Sequence, residues 1–109
     1  MVRALESLEE YQQVIDDGRP IVIDFWAVWS GPSRIITPMF ENLIATRAVP
    51  GIEGFKVDVD RQEEIAQAVG VRTTPTFVAF KGGEKIGEVI GANPLALQEL
   101  MRKVRDHDA

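Results

Sequence analysis

The chain has 109 residues, of which 45% are hydrophobic and 27% are charged. This length and composition predict one globular domain, residues 1–109, with a core of its own. Seventeen acidic residues against twelve basic ones leave a formal net charge of −5, which argues against a nucleic-acid-binding protein. No apolar stretch is long enough to cross a membrane, and the first residues lack the pattern of a signal peptide, so we expect a cytoplasmic protein.

Cysteine is absent from the chain, and His107 is the single histidine. These counts exclude disulfide bonds, thiolate catalysis and cysteine metal sites, and they exclude sites built on several histidines. We therefore expect neither a bound metal nor a cofactor.

The apolar pattern switches between strands and helices along the first half of the chain. Residues 2–5 predict a short edge strand, and a capping box at Ser7 and Glu10 predicts the start of a helix. The dense apolar run at residues 21–27 predicts a central strand that is buried on both faces. Residues 33–49 predict a longer helix, bent at its internal proline.

The second half continues the alternation and ends in a hairpin and a helix. Residues 54–59 predict a strand, and Asp60 with Glu63 predicts the cap of a short helix. Residues 76–90 predict two strands joined by a pair of glycines, and Asn93 predicts the cap of a last helix with Leu95 among its buried residues. The resulting order, β-α-β-α-β-α-β-β-α, is typical of an α/β domain with a mixed sheet and helices on both faces.

Asp24 is a carboxylate in the middle of the predicted central strand. Burial of an unpaired carboxylate is unfavourable, so we expect a raised pKa for Asp24 and a functional reason for its presence. Lys56, on the next predicted strand, could be its partner. The alternative is that Asp24 faces a polar edge and is simply solvated.

Two loop segments also suggest a site. Residues 29–33 join the end of the central strand to a helix N-terminus, which is where ligands bind in open α/β sheets. A purely structural interpretation stays open, in which Ser33 caps the helix and Gly31 makes the turn. Pro75 begins a strand, where proline removes a hydrogen-bond donor and could follow a cis peptide bond.

Residues 24–33 read Asp-Phe-Trp-Ala-Val-Trp-Ser-Gly-Pro-Ser. This segment resembles the active-site segment of the thioredoxin family, Asp-Phe-Trp-Ala-x-Trp-Cys-Gly-Pro-Cys, with serine at both cysteine positions. Further family motifs match in the same order, at Pro38, residues 56–60, residues 74–76 and Gly91. The resemblance implies the thioredoxin fold, a five-stranded mixed sheet in the order 1-3-2-4-5 flanked by four helices.

The resemblance also implies a function, that of a dithiol–disulfide oxidoreductase that reduces protein disulfides and is recharged by a flavin- and NADPH-dependent thioredoxin reductase. Ser30 matches the attacking cysteine and Ser33 the resolving one. Asp24 matches the acid that accepts a proton, and Lys56 its basic partner. Gly31 and Pro32 match the positions that set the redox potential. The matched substrate-binding positions are Trp29, Thr74, Pro75 and Gly91.

Serine at both positions predicts that this chain is redox-inactive. A hydroxyl is a poor nucleophile without an activating base, and the only histidine lies near the chain end, so serine hydrolysis is disfavoured. Substitution of both cysteines in an active parent is favoured, because the rest of the motif set is retained. A naturally redox-inactive binding or adaptor module is the alternative. Either form is expected to be a monomer or a weak homodimer through the active-site face.

Overall fold

Strands and helices alternate up to a closing hairpin and helix along residues 1–107, the part of the chain that the computed structural model describes. The strands are β1 (Arg3–Ala4), β2 (Ile21–Trp26), β3 (Glu53–Asp58), β4 (Thr76–Lys81) and β5 (Glu84–Ile90). The helices are α1 (Leu8–Asp16), α2 (Gly31–Ala45), α3 (Glu63–Val69) and α4 (Pro94–Asp106). The predicted order of elements is confirmed.

The strands form one mixed sheet in the order β1-β3-β2-β4-β5. Strands β1 and β2 run parallel to β3, whereas β4 runs antiparallel to both β2 and β5. The predicted order 1-3-2-4-5 is therefore confirmed. The central strand, β2, pairs on both sides, and its first five residues are all buried.

The two faces of the sheet have separate apolar cores. Ile21, Ile23 and Phe25 of β2 pack in a cluster with residues of α1 and α3. Val22 packs in the other cluster, with residues of α2 and α4. Because side chains alternate along a strand, Asp24 belongs to the same row as Val22 and faces α2.

The predicted ends of α2 were wrong at both termini. The helix begins at Gly31, because Ser30 rather than Ser33 is its N-cap. It ends at Ala45, and Arg47 adopts a left-handed conformation with a φ of 53°, which cannot continue a right-handed helix. Pro38 lies inside the helix as predicted.

Turn and cap chemistry explain most of the other boundaries. The Ser7 and Asn93 side chains cap α1 and α4 as predicted, and the paired glycines at the hairpin turn have φ values of 62° and 80°. The predicted cap of α3 by Asp60 was wrong, since Gln62 is the N-cap and has no side-chain capping bond. Leu95 was also wrongly predicted to be buried, since it is 66% exposed.

Gly54 is a position where the fold leaves no room for a side chain. A Cβ atom there would lie 2.7 Å from Cγ1 of Ile44 and 3.1 Å from Cζ of Phe40. We expect Gly54→Ala to lower the free energy of unfolding by about 1–3 kcal/mol, because Ile44 and Phe40 must move within a packed core. Urea unfolding measures the change, with Gly31→Ala as the control because a Cβ at Gly31 meets open space. Equal stability of the two variants would contradict this prediction.

Candidate functional site

The site is built around the start of α2, at the end of the central strand. Ser30 is the N-cap, and its Oγ accepts a hydrogen bond of 3.2 Å from the backbone N–H of Ser33. The side chains of both serines are enclosed, with 3% and 1% of the respective residues exposed. Gly31 and Pro32 form the first turn between them and are exposed. The backbone therefore presents its first free amides and the positive end of the helix dipole at position 30.

A second loop meets the first through Ser30. The Ser30 hydroxyl donates a hydrogen bond of 3.3 Å to the backbone carbonyl of Thr74. The Thr74-Pro75 peptide bond is cis, and Pro75 is buried. The Pro75 carbonyl accepts a hydrogen bond of 2.9 Å from the N–H of Gly91, just after β5. Three segments that are distant in sequence therefore converge.

The Asp24 carboxyl lies on the face of β2 that packs on α2, and it is fully buried. Its Oδ2 accepts a hydrogen bond of 2.6 Å from the Thr37 hydroxyl, while Oδ1 has no hydrogen-bond partner within residues 1–107. Burial raises the pKa of Asp24 to about 7, although the Thr37 hydrogen bond opposes that rise. The prediction of a raised pKa is confirmed, and the solvated alternative is wrong.

Lys56 does not pair directly with Asp24, which corrects the expected contact. Its Cα lies opposite that of Asp24 in the β2–β3 register, but its ammonium forms an ion pair of 3.0 Å with Glu41 on α2. Glu41 is about 39% exposed at the side chain, so an ion pair with Glu41 costs Lys56 less desolvation than one with the fully buried Asp24 would. The direct partner of Asp24 is therefore Thr37, and Lys56 influences the Asp24 pKa only as a nearby positive charge.

Trp29 stands beside Ser30 with 67% of its surface exposed. Its indole N–H donates a hydrogen bond of 2.8 Å to Asp60, which fixes the ring. Other exposed large hydrophobic residues lie in the loop after β2, in the first three turns of α2, at the end of β5 and in the first turn of α4. They are Val28, Ile35, Met39, Ile90 and Leu95. Exposed apolar side chains near a site of this kind are typical of a protein-binding surface.

The two hydroxyl groups are not arranged for nucleophilic catalysis. Ser30 donates to a backbone carbonyl rather than to a base. The Ser33 hydroxyl is buried and has no hydrogen-bond partner within the described part of the chain. A serine nucleophile needs an adjacent general base, so this geometry does not support serine hydrolysis.

Three residues of the site were missed by sequence reasoning: Thr37, Glu41 and Asp60. The first two could have been found, because they follow Ser33 at intervals of four and so share one face of α2. Asp60 gave no such signal, since its contact with Trp29 joins residues 31 positions apart.

A wide cavity of about 980 Å³ lies away from this site, where α2 ends and β3 begins. Its walls include Arg3, Ile44 and Gly54, and none of the predicted site residues. Among the described helices, none combines the length and apolar character that crossing a membrane requires.

The sequence profile of the family described as Thioredoxin matches residues 2–104. Thioredoxin of Malassezia sympodialis is 47% identical over 97 residues, which are 89% of this chain and 92% of that protein. Mitochondrial thioredoxin-3 of Saccharomyces cerevisiae is 40% identical over 98 residues, which are 90% of this chain and 76% of that protein.

Solved structures agree with the sequence matches. The crystal structure of Malassezia sympodialis thioredoxin (Mala s 13) superposes with a TM-score of 0.91 at 44% identity, covering 96% of this chain and 91% of that one. A chain from a study of thiol resolution in yeast mitochondrial 1-Cys peroxiredoxin by the glutathione and thioredoxin systems has a TM-score of 0.86 at 40% identity, covering 93% of both chains. The chain belongs to the thioredoxin family and has the thioredoxin fold.

Proposed function

We propose that this site is a dithiol–disulfide exchange site in which hydroxyl groups stand at both sulfur positions, so that the chain binds disulfide-bearing proteins without exchanging electrons. The observation that carries this proposal is the position of Ser30, which caps α2, contacts Thr74 and lies in the loop that follows Asp24 and its strand. A thiolate at that position would be stabilised by the free amides and dipole of the helix.

Each site residue has a role in the exchange reaction that the cysteine form would perform. A thiolate at position 30 attacks a substrate disulfide, forms a mixed disulfide and releases one substrate thiolate. The thiol at position 33 then loses its proton to the Asp24 carboxylate and attacks the mixed disulfide. This step forms an internal disulfide and releases the second substrate thiolate. Lys56 supports the ionised form of Asp24 through its charge.

The remaining roles concern docking and redox potential. Gly31 and Pro32 separate the two reactive positions and set the redox potential. The substrate-binding surface comprises Trp29, Thr74, Pro75 and Gly91. The Thr74 backbone pairs with an extended segment of the target, which is a form of strand addition. Since this surface does not depend on sulfur, the present chain retains it.

We further propose that the cysteine form acts in the cytoplasm as a single domain, as a monomer or weak homodimer, and is recharged by a flavin- and NADPH-dependent thioredoxin reductase. Its targets are proteins with accessible disulfides. A fluorescent fusion of the chain tests the cytoplasmic assignment, because one relative is a mitochondrial thioredoxin.

The serines have two candidate origins. Replacement of both cysteines in an active parent is supported by the retained Asp24, Trp29 and Pro75, and by the choice of the nearest isostere at both positions. A natural binding or adaptor module is the second candidate, supported by the exposed apolar surface, which needs no sulfur to bind a partner. The codons at positions 30 and 33 of the native gene distinguish the two origins.

Restoration of one sulfur at a time tests the assigned order of attack. We expect Ser30→Cys to form a stable mixed disulfide with an aromatic disulfide reagent at pH 7, about tenfold or more faster than Ser33→Cys. The helix amides stabilise a thiolate at the N-cap, whereas a thiol at position 33 lies inside the helix on the face that carries Thr37, the partner of the Asp24 carboxyl. Release of the coloured thiol measures both rates, and mass spectrometry identifies the adduct. Equal rates, or a faster Ser33→Cys, would contradict the proposed roles.

A further inference from the structure

A polar stripe runs along the face of α2 that packs against the sheet. Ser33, Thr37 and Glu41 occupy it at intervals of four residues, so they lie on one side of the helix. The adjacent inward positions are apolar and belong to the core, namely Ile36, Phe40 and Ile44. Ser33 is buried, whereas Thr37 and Glu41 are half-buried, so the stripe leads from the core towards the surface.

The Thr37 hydroxyl lies at the centre of this stripe, and its hydrogen-bond acceptor lies outside its own helix. A threonine inside a helix commonly donates back to the carbonyl four residues earlier, which here belongs to Ser33. Thr37 instead donates its hydrogen bond to Oδ2 of Asp24 at 2.6 Å. The other carboxyl oxygen, Oδ1, is buried and has no hydrogen-bond partner within residues 1–107.

We propose that Thr37 is a positioning residue for the buried acid: its hydroxyl holds Oδ2 and stabilises the ionised carboxylate, which leaves Oδ1 as the oxygen that exchanges a proton. The effect on Asp24 does not depend on sulfur. Its consequence for disulfide exchange rests on the proposed function.

The charges around Asp24 leave the Thr37 hydroxyl as the main group that stabilises the ionised carboxylate. Glu41 on α2 raises the Asp24 pKa, and Lys56 on β3, whose ammonium is paired with Glu41, lowers it by less. From the β4 side the register neighbour is Phe77, a buried aromatic ring that offers no charge. The Thr37 hydrogen bond is thus the largest influence opposing the effect of burial.

The test compares Thr37→Val with Thr37→Ser in the present chain. Valine keeps the branched shape but removes the hydroxyl, whereas serine keeps the hydroxyl. NMR titration of the ¹³C-labelled Asp24 carboxyl measures the pKa. We expect Thr37→Val to raise it by about one to two pH units, and Thr37→Ser to keep it near the parent value. Thr46→Val is the matched control, because the Thr46 hydroxyl binds the Asn42 carbonyl near the end of the same helix.

An Asp24 pKa that is the same in Thr37→Val as in the parent would overturn the proposal, as would an equal rise in Thr46→Val. Thr37→Ala replaces Thr37→Val if the valine variant does not fold. In the S30C/S33C background, loss of the hydroxyl should shift the pH midpoint of disulfide reduction upward, whereas general damage would lower the rate at every pH. If that background is inactive while the pKa still responds to Thr37, the proposed function fails and the role of Thr37 stands.

Discussion

Asp24→Asn is expected to raise the free energy of unfolding at pH 8 by up to about 4 kcal/mol. The folded protein holds this carboxyl in a fully buried position with a pKa of about 7, against an ordinary value of 3.8. At pH 8 the parent therefore keeps an ionised carboxylate in its core. Asparagine has nearly the same shape, carries no charge and can still accept the hydrogen bond from Thr37.

The direction of the pH dependence follows from the raised pKa of Asp24. Between pH 4 and pH 7 the folded state retains a proton that the unfolded state has released, so the stability of the parent falls as the pH rises through this window. Above pH 7 the loss is complete. Asp24→Asn lacks this titration, so its advantage over the parent should grow from pH 4 to pH 7 and then stay constant.

Urea unfolding of the parent and Asp24→Asn at pH 4.5 and pH 8 measures this difference directly. The new amide NH₂ takes the place of an oxygen without a partner and offsets the gain by about 1–3 kcal/mol at both pH values, so the change between them is the decisive quantity. Asp16→Asn is the control, since Asp16 is exposed and its variant should differ from the parent by less than about 0.5 kcal/mol. An equal effect of Asp24→Asn at both pH values would contradict the buried, titrating acid.

The order of elements could be predicted from the sequence because local signals agreed with the tertiary structure, whereas the order of strands in the sheet came from the family resemblance. The apolar run of β2, the paired glycines of the hairpin and the Asn93 cap each specify one conformation by themselves. The end of α2 could not be predicted, because residues 46–49 carry no glycine or proline before Pro50, and the left-handed Arg47 gives no signal in the sequence.

The candidate site, like the fold, could be predicted only in part. The positions of Ser30, Asp24 and Pro75 follow from a motif that spans the chain. The burial of the Asp24 carboxyl could also be predicted, because the residue lies in an apolar strand. The partner of Asp24 did not follow, because the strand register places Lys56 next to it while side-chain reach and solvation direct that ammonium to Glu41. Which partner a long side chain contacts depends on three-dimensional distances, and the periodicity of strands and helices does not specify those distances.

The double variant S30C/S33C should convert a chain without cysteine into a protein-disulfide reductase. The physical reason is that the helix amides, the Thr74-Pro75 loop and the buried acid are all in place, while oxygen cannot form the disulfide that the reaction requires. We expect dithiothreitol-driven reduction of insulin disulfides to rise on the order of 10³-fold or more above the parent chain.

Two controls separate exchange from general thiol reactivity. Ser30→Cys alone should form a mixed disulfide but not turn over, because no second thiol resolves it. Asp24→Asn in the double-cysteine background should slow reduction at pH 7 without abolishing folding, since the resolving thiol then lacks its proton acceptor. A single-cysteine variant as active as the double variant would show that the reduction does not use the pair.

The initial rate of insulin reduction by S30C/S33C, measured beside the parent chain under identical conditions, is the most direct test of the account. Rapid catalytic turnover by the double variant and none by the parent is the predicted result. A folded double variant that carries both thiols and reduces insulin no faster than the parent would contradict it.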